Sequence, residues 1–97
     1  MVTFQFKMIG ENLGTRTLGS QVRQQLLPLI KNNDKVVLDF SGVNIVSNSF
    51  ADESIGKLLL SMSFEELKRH TTFKGTNEFV RKNIAIALKR RKDMIAS

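Results

Sequence analysis

The sequence predicts an α/β domain, a small and mainly parallel sheet with helices packed on it. Three observations carry that prediction. Apolar residues recur with a period of two in "VTFQFKM", the short run "KVVLDF" is β-branched and apolar on both faces, and the stretches between and after them show the longer apolar period of a helix. Strand and helix alternate three times, the pattern of a parallel sheet whose strands are joined by crossover helices. The 97 residues show no internal repeat, linker or low-complexity stretch, so residues 1–97 are expected to form a single domain with a modest core.

Val2, Phe4, Phe6 and Met8 alternate with Thr3, Gln5 and Lys7, which predicts a strand with one buried face; Gly10 and Gly14 mark the turn behind it. From about Leu18 the period changes. Leu18, Val22, Leu26, Leu29 and Ile30 share one side of a helix while Arg23 and Gln24 point away. Pro28 cannot donate back to Gln24, so the last turn is expected to bend or loosen before "KNNDK" ends the helix. "KVVLDF" reads as a central strand covered on two sides. Ser41-Gly42 breaks it, and "VNIV" is a brief extended segment. A second helix carries Ala51, Ile55, Leu58, Leu59 and Met62 as its apolar stripe. Phe64 to Arg69 is amphipathic and short, "HTTFKG" has strand-forming residues before a glycine, and a last helix from about Asn77 turns Val80, Ile84, Ala87 and Leu88 inward and Lys82, Lys89 and Lys92 outward.

With no cysteine, the chain has no disulfide framework and no thiolate metal site. No run approaches the ~18 apolar residues that a membrane span requires, and the alternating N-terminus lacks the form of a signal peptide. A cytoplasmic protein without membrane contact is expected. The formal charge of +6 is concentrated at the end, where Arg81, Lys82, Lys89, Arg90, Arg91 and Lys92 face the single carboxylate of Asp93. Such an end suits either nucleic acid or an acidic partner, and equally the C-terminus of a solvated helix. Stacking aromatics are missing: there is no Trp or Tyr, and the Phe residues sit in apolar patterns.

Catalytic signatures are lacking. His70 stands alone, no phosphate-binding or nucleophile-elbow motif occurs, and Asp39, Asp52 and Glu53 give no sign of the split environments an acid/base pair requires. No catalytic residue, metal ligand or cofactor is therefore assigned. Arg16, in "GTRTLGS", can hold an anion in its planar fork or brace its loop, to Asp39 or to backbone carbonyls.

The junction Ser47-Asn48-Ser49 places two hydroxyls and an amide at a helix start, which suits a phosphorylation switch, a binding surface or a cap. Ser49 reads as the N-cap, with Asp52 three residues on in a variant capping box and Asp52 and Glu53 in the first turn.

"VVLDFSGVNIVSNSFADE", with "LGTRTLGSQVRQQLLPLI" before it and "TFKGTNEFVRKNIAIAL" after it, resembles the STAS-like domain family of unknown function, known from bacteria and their mobile elements. The resemblance spans about residues 10 to 92 and implies a STAS-like fold. Those domains are similar to the STAS domains of anti-sigma factor antagonists, in which a serine of an Asp-Ser-Ser-Gly motif is phosphorylated by a kinase of the GHKL ATPase type. Here that motif meets Ser47-Asn48-Ser49-Phe50, so the acceptor position holds Asn48, which cannot take a phosphoryl group; Ser49 and Ser47 remain as candidates. The resemblance thus implies a non-enzymatic regulatory module that docks a protein partner, of the GHKL-type ATPase kind, through Ser47, Asn48, Ser49, Phe50, Asp52 and Glu53. The alternative is a nucleic-acid-associated protein that uses Arg81 to Lys92.

Overall fold

The computed structural model describes residues 1–96. In chain order its elements are β1 (Val2–Gln5), a 3₁₀ turn (Phe6–Met8), β2 (Asn12–Leu13), α1 (Arg16–Asn32), β3 (Val36–Asp39), β4 (Ile45–Val46), α2 (Asn48–Ser54), a second 3₁₀ turn (Gly56–Leu60), α3 (Phe64–His70), β5 (Thr71–Lys74) and α4 (Glu78–Ala96). The predicted class holds: β1, β3 and β5 form a parallel sheet with β3 in the middle, and β2 pairs in parallel with β4 in a small second sheet.

The register aligns Val2, Val36 and Thr71, and then Phe4, Leu38 and Phe73. These residues share the covered face, where Val36 and Leu38 are fully buried and Phe6 stacks on Phe40 at 3.9 Å between ring centroids. Thr3, Gln5, Thr72 and Lys74 occupy the opposite face and are exposed, with Val37 only half-buried among them. The central strand is therefore covered on one side, not two. Its own sequence is apolar on both faces, but its neighbours alternate, and a sheet face is set by all its strands.

The first strand is shorter than its alternation predicts. The chain leaves the sheet at Gln5 for the 3₁₀ turn, which keeps Phe6 in the core but turns Met8 out to 81% exposure. α1 begins earlier than predicted because Thr15, its N-cap, accepts a hydrogen bond from Leu18 N at 3.1 Å. Pro28 lies inside that helix without ending it; its missing bond falls on the exposed side, and Asn33 closes the last turn by donating to Leu29 O at 2.9 Å.

Val22, Leu26 and Ile30 of α1, Phe50 of α2 with Ile55 at its C-cap, and Val80, Ile84 and Ala87 of α4 meet in one apolar cluster. Each fully buried large side chain contributes about 1.5–3 kcal/mol. Two glycines set how closely elements approach. A Cβ on Gly19 of α1 would stand 2.7 Å from Glu53 Cβ and 3.0 Å from Phe50 O, so α1 and α2 touch there by backbone. Gly75, with φ of +70°, ends β5 against Ser41. α4 is placed from its start. Asn77 Oδ1 accepts from Val80 N at 2.8 Å while its amide donates to Asn44 O at 3.1 Å, and Asn83 donates to Val46 O at 2.7 Å.

Candidate functional site

Where the chain enters α2, the capping serine is Ser47, not Ser49. Ser47 is extended (φ −71°, ψ 161°), and its Oγ accepts from Phe50 N at 3.0 Å while donating to Gly14 O at 2.9 Å. Both hydroxyl functions are committed. Ser49 falls inside the first turn, half-buried, and makes no hydrogen bond through its side chain among the described residues; Asn48 beside it is exposed and equally unengaged. Phe50, expected at the surface, is fully buried and meets Phe6 edge-on at 6.4 Å. Residues 47, 48 and 49 thus divide into a cap and two free polar groups.

Starting α2 at Asn48 moves Asp52 and Glu53 beyond the first turn, where they answer cations from other elements instead of the helix dipole. Arg16 Nη1 donates to Asp52 at 2.9 Å and to Glu53 at 3.0 Å. Arg23 donates to the Glu53 carboxylate at 3.0 Å and to its backbone carbonyl, and Lys57 closes on Glu53 at 2.6 Å. Arg91, from α4, grips Asp52 with both sides of its fork, Nε at 2.6 Å and Nη2 at 2.8 Å. Glu53 is only 7% exposed and belongs to this network, not to an open surface. The Arg91 fork holds the Asp52 carboxyl down at about 2, with Arg16 helping against the cost of burial. Lys57 does the same for Glu53, also at about 2, followed by Arg23 and Arg16.

Arg16 is a brace, but to α2. Asp39, at the end of β3, instead accepts from Ser41 N at 2.9 Å and organises its own turn; Ser41 holds its carboxyl below the usual range. The outward direction predicted for Arg23 is also corrected, since its side chain is three-quarters covered against Glu53. Lys57 was legible as an i, i+4 partner of Glu53. Arg91, 39 residues from Asp52, was not.

A cleft of about 330 Å³ opens beside this network. Asn48, Ser49 and Asp52 line one wall with Arg16 at its end; Ile86, Arg90 and Met94 of α4 line the other. Arg90 is exposed and forms no ion pair among the described residues, and Met94 is 62% exposed. The cleft offers two free polar groups, one free guanidinium and an exposed thioether. Three neighbouring cations of the basic end are already occupied. Arg91 is paired, Lys89 bonds Asp93 at 3.1 Å, and Lys92 lies 4.1 Å over the Phe64 ring.

His70 donates through Nδ1 to the backbone at Asp34, 3.1 Å away. Among the described residues no cluster of His, Asp and Glu is placed to hold a metal, and no helix is long and apolar enough to cross a membrane.

A family profile described as a STAS-like domain of unknown function matches residues 19–81. No curated protein and no solved structure matches the chain. Arg16, Arg90 and Arg91, which flank the cleft, lie outside the matched stretch.

Proposed function

The chain belongs to the STAS-like domain family of unknown function, and from that premise we infer that it is a regulatory protein-interaction module without catalytic chemistry, docking a protein partner at the cleft between α2 and α4. The observation that carries this reading is the contrast inside one helical turn. Ser47 and Phe50 are consumed by the fold, while Asn48 and Ser49 hold unengaged polar groups opposite an unpaired Arg90. Ser49 is the hydroxyl left free for modification, and a phosphate there would meet Arg16 and Arg90 as well as the repelling Asp52. A GHKL-type ATPase is the partner that the family resemblance suggests.

The test is titration calorimetry of the purified protein against a panel of bacterial GHKL-type ATPases. Asn48→Trp and Arg90→Glu are each expected to weaken binding at least tenfold at an unchanged Tm, and Lys31→Glu to have no effect. Binding that survives both cleft changes, or no binding by any of these ATPases, removes the reading. Salt-sensitive DNA binding lost in Arg81→Glu would favour nucleic acid in its place.

A further inference from the structure

On the other side of α4 the molecule leaves a sheet edge open. Among the described residues β5 pairs only with β3. Because Lys74 O accepts from Phe40 N of the β3 side, backbone alternation turns the N–H and C=O of Phe73 toward the free edge. Two apolar clefts flank that edge. One, of about 210 Å³, lies between Phe73 and the α4 residues Ile84, Ala85 and Leu88; the other, of about 260 Å³, continues from Phe73 and Leu88 to Phe64 and Leu67 of α3. Phe73 itself is 40% exposed. The edge therefore combines outward backbone groups with two adjoining hollows on the covered face of the sheet.

The rim is basic. Lys68 lines one cleft and Arg81 the other; both are exposed and neither is ion-paired among the described residues, Lys68 lying 5.5 Å over the Phe64 ring. A second copy paired edge to edge would bring these cations toward their own counterparts, which disfavours self-association.

We propose that the β5 edge is a strand-addition site for an extended acidic–apolar peptide segment, which extends the sheet through Phe73 and sets alternate apolar side chains into the two clefts. In a strand, side chains of one face recur every second residue, about 6.6 Å apart. The intervening residues would stand over the open polar face, where carboxylates suit the exposed Lys74, and acidic ends of the segment suit Lys68 and Arg81 at the cleft rims. Main-chain bonds supply affinity and the hollows supply selectivity, as in other β-augmentation sites. This site is separate from the α2–α4 cleft and does not depend on it.

The probe is a fluorescein-labelled peptide, Glu-Leu-Glu-Val-Glu-Leu, read by anisotropy against the full chain. Saturable binding is expected, with at least tenfold loss when the Glu residues are replaced by Lys and when the central Val amide is N-methylated, which deletes a strand donor. Ala85→Arg, an exposed change that fills the first cleft, is expected to weaken binding at least tenfold at unchanged Tm. The double change Lys68→Glu with Arg81→Glu is expected to reverse the preference toward the Lys peptide. In hydrogen exchange the Phe73 amide should become protected on binding. Absence of binding at millimolar peptide, indifference to N-methylation or Ala85→Arg, or a concentration-dependent dimer abolished by Ala85→Arg would each overturn the proposal, the last by assigning the edge to a second copy.

Discussion

The two sides of α4 are built on opposite principles. On the side facing α2, charges satisfy one another: two carboxylates are shared among four cations, and the cleft beside them is left with only a few free groups. On the side facing β5 and α3, apolar clefts and a strand edge are left open, with cations at the rim that have no carboxylate. The first region is a fastening that holds three helices; the second has room but little internal commitment. Charge alone therefore does not distinguish a committed surface from an open one in this protein. Arg91 and Arg90 are adjacent in sequence, yet one is structural and the other unpaired.

The largest expected break in that contrast is at Glu53. Glu53→Ala removes the acceptor shared by Arg16, Arg23 and Lys57 and is expected to cost about 3 kcal/mol in denaturant unfolding, since it strands partly buried cations. A cost under ~0.5 kcal/mol would mean the network is surface decoration. Acid probes the same network. Asp52 and Glu53 are held at about 2 against ordinary values of 3.8 and 4.5, so the folded state resists protonation. Their stabilisation is complete above about pH 5 and is lost as pH falls through the ordinary values toward 2. Glu53→Ala should flatten that part of the pH–stability curve.

Next in size is Gly19→Ala. Its Cβ has no room against Glu53 and Phe50, and overpacking of this kind costs about 1–3 kcal/mol in a thermal or denaturant melt. Ser47→Ala is expected to cost about 1 kcal/mol as a lost cap, against less than ~0.5 kcal/mol for Ser49→Ala. Equal losses at the two serines would contradict the assignment of Ser47 as the cap. The smallest effect belongs to the β5 side, where Ala85→Arg should leave stability within ~0.5 kcal/mol.

Much of the fold was legible because burial leaves a period in the sequence. Val36 to Phe40, the stripe of α1 and the inner face of α4 all follow from that period. The errors arise where a local signal competes with a distant partner. Ser49 looked like the cap because Asp52 stands three residues on, but Asp52 belongs to Arg91, and Ser47 is held at the turn by Gly14 O. Met8 kept the alternation of a strand whose backbone had already turned. Of the expected site, Asn48 and Ser49 stand at a cleft, whereas Phe50 and Glu53 are withdrawn into core and network. No spacing rule links Arg16 or Arg91 to residues 52 and 53, because that proximity exists only after the helices pack.

The same ion-pair network also has an order in time. A ribosome adds about 5–20 residues per second. Arg91 follows Asp52 by 39 residues, so it is synthesised roughly 2–8 s later. Arg16 and Arg23 precede both carboxylates, and Lys57 follows within a turn. Once Lys57 is added, each of the cations that bind Glu53 is in the chain, whereas the Arg91 fork on Asp52 comes only with α4. That fork can form only after α4 has been made, so the last helix carries the latch for a carboxylate laid down much earlier.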